Sequence, residues 1–342
     1  YKPHNFDEKF RGPVKLRDAL ARSLNVPAVK TLYLAGLSHA LKTIAAFGIR
    51  TLTDQNRYGL SLVLGGGEVT LFELVHAYGT FAEEGVRREP KLILRVEAKG
   101  AVLESYRDEP RPVMEPQYTR LINDILSDSE ARSLLFENSL RLTVFPEREV
   151  ALKTGTTEDF RDAWAIGYTP SLVAGVWAGN NNNEPMQKQG GSILAAVPIW
   201  HAFMSEALNY FPVELFTKPD QVPAAKPILA GEYTTTYVAG NERFPQIHDI
   251  LYYVKRDNPQ GPNPEDPSED SQFTNWEVPV AEWARLNIPA FEEYNRPVPL
   301  GAMPLINERL AGGQLRELEL IVHTPENGAF VGNQIALRVE AQ

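Results

Sequence analysis

Two apolar, β-prone runs, Asp162–Tyr168 and Leu172–Ala178, are separated only by Thr169-Pro170-Ser171. A three-residue connection can join antiparallel neighbours, whereas parallel strands need a crossover of a dozen residues or more. Just upstream, Val150-Ala151-Leu152 leads a further run into Lys153-Thr154-Gly155-Thr156-Thr157. The chain is thereby committed to an antiparallel sheet made of a strand followed by a hairpin.

The residues around that sheet read as helical. Leu16, Ala19 and Leu20 stand at helical spacing, followed by a break at Ser23-Leu24-Asn25 and by Pro27, which suits the first position of a new helix. Ser38 reads as the cap of a helix running toward Gly48. Thr70 and Glu73 form a capping box ahead of the stripe Leu71, Leu74, Val75, Tyr78 and Phe81, ended by Gly85. Lys91–Ala98 alternates like a strand with a turn at Lys99-Gly100, and Tyr118–Leu126 returns to helical spacing. Gly191–Leu208 reads as a helix that Pro198 must bend or delay. The order helix, sheet, helix gives an α+β fold with an antiparallel sheet flanked by helices. Trp164, Trp177 and Trp200 read as core residues, and Asn180–Asn183 as a solvated turn.

Beyond Phe211 proline becomes frequent, and the run Asp257–Pro267 is too polar and rich in turn formers to be core. Trp276, Trp283 and the apolar residues of Ile250–Val254 require that its flanks pack on something. Leu315–Val322 and Ile335–Val339 alternate like the first strands of a small β unit. The expected division is therefore 1–211 as one domain, 212–312 as a Pro-rich extension packing on it, and 313–342 as the start of a small β domain.

Several classes of function are disfavoured by composition. A formal charge of −10 without any Lys/Arg cluster argues against a nucleic-acid partner. With no cysteine there can be no disulfide, zinc knuckle or thiol nucleophile. The six histidines are scattered without metal-ligand spacing, so no metal site is expected. No apolar run approaches the roughly 20 residues of a membrane helix. The sequence opens at Tyr1 without an initiator Met, and reads as a segment of a longer polypeptide.

Ser23-Leu24-Asn25 and Lys153-Thr154-Gly155 are the second and third kinds of motif in the set Ser-x-x-Lys, Ser-x-Asn and Lys-Thr-Gly. Around them, Phe10–Val14 and Leu16–Val29 closely resemble the second-motif region of the transpeptidase domain of class A, bifunctional penicillin-binding proteins. Leu64-Gly65-Gly66-Gly67-Glu68-Val69-Thr70 resembles the segment that follows. Lys153–Thr157, Phe160-Arg161-Asp162-Ala163-Trp164 and Gly175–Asn180 resemble the third motif and the next two strands. The resemblance runs in the family's order over about residues 1–210 and implies a β-lactamase/transpeptidase-like fold, incomplete at its N-terminus.

It also implies roles for individual residues. Ser23, on an inter-helix turn, would relay a proton to a departing amine. The Asn25 amide would donate to and accept from a peptide substrate. Lys153 would supply positive charge that eases proton movement and favours an anionic substrate. The hydroxyls of Thr154 and Thr156 would hold a carboxylate, with Gly155 leaving room for a substrate lying along the strand edge, Thr157 completing the binding segment and the Thr156 N–H forming half of an oxyanion hole. Arg161 and Asp162 read as supporting residues or a strand-end ion pair.

One departure from the family pattern is serious. No Ser or Thr in the chain is followed by Lys three positions later. Lys42 stands four positions after Ser38, downstream of Ser23-Leu24-Asn25, where the family order does not allow a nucleophile. The nucleophile is therefore expected before Tyr1, and the segment alone should form no acyl enzyme.

The expected function is part of a peptidoglycan D,D-transpeptidase that cross-links stem peptides ending in D-Ala-D-Ala and is acylated by β-lactams, without metal or organic cofactor. Its membrane-anchored parent would work on the extracytoplasmic face of a bacterial membrane. A non-catalytic peptidoglycan-binding scaffold and, less favoured because of the long tail, a serine β-lactamase-like hydrolase are the alternatives.

Overall fold

The computed structural model describes residues 3–187, 191–221, 224, 226–305, 320–324 and 338–341. Its helical lobe begins with α1 (Leu16–Ala21), α2 (Asn25–Ala35) and α3 (Leu37–Ala46). α1 ends in a Schellman closure: Ser23 N–H donates to Leu20 O at 3.1 Å and Leu24 N–H to Ala19 O at 2.9 Å. That closure needs a left-handed residue, and Ser23 supplies it with φ +53°. A glycine would do this without strain, so the serine there is held at a cost of order 1–3 kcal/mol.

Two sequence expectations are corrected nearby. Pro27 is the third residue of α2, because Asn25 already begins the helix after the extended Leu24. Ser38 does not cap α3; it is the second helical residue, and Gly36 occupies the cap position with φ +80° and makes no side-chain cap bond. α4 (Leu71–Ala82) does start as expected, with Thr70 Oγ1 accepting from Glu73 N–H at 3.1 Å. The Glu73 carboxylate instead reaches the Arg50 N–H, so the box is not closed reciprocally.

Short strands β1 (Val86–Arg87) and β4 (Arg111–Pro112) pair across the base of an exposed hairpin, β2 (Arg95–Ala98) with β3 (Ala101–Ser105). The strand expected from Lys91 is thus confined to its last four residues. α5 (Pro116–Ser127) and α6 (Ser129–Phe136) complete the lobe.

The central sheet is β5 (Ala151–Thr156), β6 (Asp162–Thr169) and β7 (Leu172–Gly179), antiparallel in the order β5-β6-β7. Each face is covered. Leu152, Ala163, Ala165 and Ala174 pack against α7 (Ser192–Ala195) and α8 (Val197–Ala207) around the fully buried Trp200 and Met204. Ala151 and Tyr168 pack on the other face against Tyr78, Phe81, Ala82 and Leu126 of α4 and α5. Gly167 is required by this layering, since a Cβ there would stand 2.2 Å from the Trp200 ring. The single helix expected over Gly191–Leu208 is split at Ala196, which places Pro198 in the first turn of α8, where its missing N–H is harmless. Trp200 is core, but Trp164 and Trp177 are only half-buried. They form a cross-strand pair with ring centroids 6.5 Å apart on the cleft side of the sheet.

After Phe211 the chain folds back. β8 (Thr234–Ala239) and β9 (Glu242–Ile247) form a hairpin, joined by β10 (Met303–Pro304), and α9 (Ile250–Tyr253) and α10 (Phe273–Asn287) pack beside it. Trp276, Leu251, Tyr253 and Val254 are buried, while most of residues 257–267 are exposed. Strands β11 (Leu320–Thr324) and β12 (Arg338–Ala341) pair antiparallel. The remainder of the expected terminal β unit lies outside the described residues. No helix among the described residues is long and apolar enough to cross a membrane.

Candidate active site

β5 lies at one edge of its sheet, and its backbone alternation fixes what it can offer. Thr157 N–H donates inward to Asp162 O at 3.1 Å. Residues 155 and 153 therefore also face β6, while the N–H and C=O of Thr154 and Thr156 point to the outer edge, with which no strand among the described residues pairs. The Thr154 carbonyl accepts a hydrogen bond from Lys153 Nζ at 2.6 Å, which agrees with that direction. An unpaired strand edge with these groups can add an extended peptide.

Side chains alternate as well. Lys153 and Gly155 share the face of the helical lobe. Lys153 Nζ donates to Ser23 Oγ at 2.7 Å, bringing together two residues 130 positions apart. Loss of water around the ammonium pushes the Lys153 pKa down from its ordinary 10.5 to about 8. A lysine so placed is mostly charged at neutral pH yet near enough to its midpoint to exchange a proton through the Ser23 hydroxyl. Ser23, with its left-handed backbone, thus presents its hydroxyl to the strand.

Asn25 stands one residue beyond the turn. Its Nδ2 donates to His4 O at 3.0 Å, and the buried Asn5 side chain accepts from the Val26 N–H at 3.1 Å. Asn5, not Asn25, therefore satisfies an open N–H of α2. The segment Leu64-Gly65-Gly66 also reaches the site, since a Cβ on Gly65 would lie 4.0 Å from Thr157 Cγ2.

Thr154 and Thr156 project from the face opposite Lys153. Thr154 is buried. The Thr156 hydroxyl accepts from Ser192 N–H at 3.0 Å and donates to Ser192 Oγ at 3.1 Å, so it is occupied by the start of α7. Thr157 Oγ1 donates to Asp162 Oδ2 at 2.8 Å and accepts from Asp162 N–H at 2.8 Å. Asp162 Oδ1 in turn accepts from Trp177 Nε1 at 2.8 Å. Asp162 thus ties the β5–β6 corner and does not pair with Arg161, whose ion-pair partner is Asp159 at 3.5 Å. Gly155 has open space: an added Cβ would meet Trp164 at an ordinary 3.7 Å. The fold does not demand glycine there.

Residues 1–205 match the penicillin-binding protein transpeptidase domain. The chain belongs to this family. Among its relatives, penicillin-binding protein 1A of Aquifex aeolicus is 36% identical over 220 residues, covering 64% of this chain and 29% of that protein. Penicillin-binding protein 1C of Escherichia coli is 36% identical over 200 residues, 58% of this chain and 24% of that protein. The chain thus spans less than a third of these relatives. Penicillin-binding protein 1A from Haemophilus influenzae shares the fold, with a TM-score of 0.58 over 78% of this chain and 43% of that one at 20% identity. PonA1, a penicillin-binding protein from Mycobacterium tuberculosis, gives 0.56 over 64% and 63% at 25% identity.

Within this penicillin-binding transpeptidase domain, sequence reasoning missed Asn5 and Ser192. Neither belongs to a repeated spacing or motif, and Ser192 lies 36 residues from its partner Thr156. Only the folded layers bring them to the cleft.

Proposed function

We propose that this chain forms the substrate-binding and proton-relay side of a peptidoglycan D,D-transpeptidase, in a protein whose nucleophilic serine lies outside these 342 residues. The observation that carries the reading is the 2.7 Å contact between Lys153 Nζ and Ser23 Oγ beside an unpaired strand edge. A stem peptide ending in D-Ala-D-Ala would lie antiparallel to β5, pairing with the Thr154 carbonyl and the Thr156 N–H. The Thr156 N–H would also stabilise the oxyanion of the tetrahedral intermediate.

Attack by the nucleophile's oxygen on the penultimate carbonyl, with its hydroxyl proton passing to a general base that lies with it outside this chain, forms the acyl ester and breaks the bond to the terminal D-Ala. Ser23 Oγ gives its proton to the leaving nitrogen and recovers one from the Lys153 ammonium. An amine of a neighbouring stem peptide then takes the acyl group and returns its proton through Ser23 to Lys153, while the base hands its proton back to the departing serine oxygen. Lys153 attracts the terminal carboxylate. Thr156 contributes to that carboxylate site once Ser192 yields its hydroxyl, Thr154 takes part through its edge carbonyl because its side chain is buried toward α7, Gly155 leaves room for the chain, and Asn25 contacts the peptide amide. Thr157 fixes the end of the strand through Asp162. β-Lactams would enter as substrate mimics. Such chemistry belongs to the cell envelope, outside the cytoplasmic membrane, and residues 1–211 would be the C-terminal two thirds of the domain that performs it.

The full-length protein, given a donor peptide ending in D-Ala-D-Ala and an amine acceptor, should release D-Ala. Ser23→Ala should slow release by about a hundredfold or more, the usual share of a positioned acid-base group. Release at the wild-type rate from Ser23→Ala would overturn the assignment.

A further inference from the structure

The segment of residues 231–283 grips both flanks of the Ser23–Asn25 turn. We infer that it is a positioning clamp for the active site, with Asp249 acting through Lys30 on the helix that carries Asn25; this rests on the transpeptidase reading above.

On the downstream flank, Lys30 lies in α2, five positions after Asn25. Its ammonium donates to Asp249 Oδ2 at 2.7 Å and stands 4.7 Å from the centre of the Trp276 ring. One turn further along, the Tyr33 hydroxyl donates to Asp270 at 2.9 Å, and its ring meets Trp276 edge-on at 5.2 Å. Asp249 is buried and itself immobilised. Its N–H donates to Glu277 Oε2 at 2.8 Å, its Oδ1 accepts from Leu251 N–H at 3.3 Å, and Glu277 Oε1 lies 2.6 Å from His248 Nδ1. The partner that holds Lys30 is therefore locked from α9 and α10 together.

On the upstream flank, Gly12 takes φ +69° and lies so close beneath Trp283 of α10 that a Cβ would stand 2.2 Å from the indole. The Lys15 methylenes run within 3.7 Å of the Cβ position of Gly231. Gly12 and Lys15 lead into α1. The unit of α1, strained turn and α2 is thus held at both ends by one folded-back segment.

An enclosed ion pair adds little net stability because both charges lose water, but it fixes geometry, and removing one partner leaves the other uncompensated. What it fixes here is the axial and rotational position of α2 relative to β5. Asn25 and the Ser23 hydroxyl ride on that position, and displacement by about 1 Å is enough to cost a reaction about a hundredfold.

The test uses the full-length protein and a fluorescent penicillin, separating the half-saturating concentration from the limiting acylation rate. Asp249→Asn and Lys30→Met should each lower the limiting rate at least tenfold, and the double variant should be no slower than the slower single. Lys30→Arg should recover the rate to within about threefold. Folded single variants with unchanged limiting rates, or additive losses in the double variant, would overturn the clamp. Failure of the wild-type protein to label at all would instead count against the transpeptidase reading. In that case hydrogen exchange on the 342-residue chain still decides the clamp. Asp249→Asn should speed exchange of the α2 amides at least tenfold more than that of the β5–β7 amides, and a uniform change across both would refute it.

Discussion

Lys153 should leave a pH signature on the stability of the chain. Its folded pKa is pushed down from 10.5 to about 8 by loss of water. Below about pH 8 both folded and unfolded chains carry the proton, and the folded state bears the full cost of an enclosed charge. Between about 8 and 10.5 the unfolded chain retains a proton that the folded chain has released, so stability rises with pH across that window. The shift corresponds to about 3 kcal/mol at 1.36 kcal/mol per pH unit. Lys153 keeps some contact with water, which reduces the realised gain to about 1–2 kcal/mol. Tyrosines work in the opposite direction: burial raises Tyr78 to about 12, and raises Tyr168 and Tyr253 as well, so these groups lower stability above about pH 10. Subtracting a Lys153→Met variant removes their contribution. Urea unfolding of both proteins at about pH 7, 8.5 and 10 should show the stability of wild type relative to Lys153→Met increasing by about 1–2 kcal/mol. A difference that stays flat or falls over that range would mean that Lys153 is not desolvated, and the proton-relay argument would lose its basis.

Two other predictions concern backbone and space. Ser23→Gly and Ser23→Ala both delete the hydroxyl, but glycine relieves the left-handed strain, so Ser23→Gly should be the more stable of the two by about 1 kcal/mol in urea unfolding; equal stability would remove the case for a strained turn. Gly155→Ala should keep the melting temperature within a few degrees, whereas Gly167→Ala should lower it sharply, because its Cβ would meet Trp200 at 2.2 Å. The reverse order would show that the two glycines have been assigned the wrong roles.

The sheet was legible because short turns and apolar alternation are local properties. Thr169-Pro170-Ser171 could connect only neighbouring strands, and β6 and β7 begin at the expected Asp162 and Leu172 and run one residue past each expected end. The site was legible where it coincides with motifs: Ser23 and Lys153 do meet. What could not be read depends on which face of a layer a side chain occupies. Thr154 and Thr156 look equivalent to Lys153 in a written motif, yet strand alternation turns their hydroxyls toward α7. Ser38 had the composition of a helix cap, but Gly36 took the position because the connection between α2 and α3 needs a positive φ. The grip of residues 249–276 on α2 was hidden for another reason. Lys30 and Asp249 are 219 positions apart, and nothing in a single sequence links them.

We propose that this chain supplies a transpeptidase cleft and proton relay while the nucleophile lies outside it. Incubating the 342-residue chain and the full-length protein with a fluorescent penicillin, followed by denaturing electrophoresis, tests it most directly. A covalent band on the full-length protein and none on the chain is the predicted result. A band on the chain itself would place the nucleophile among its own residues, and a band on neither would leave a binding scaffold in place of an enzyme.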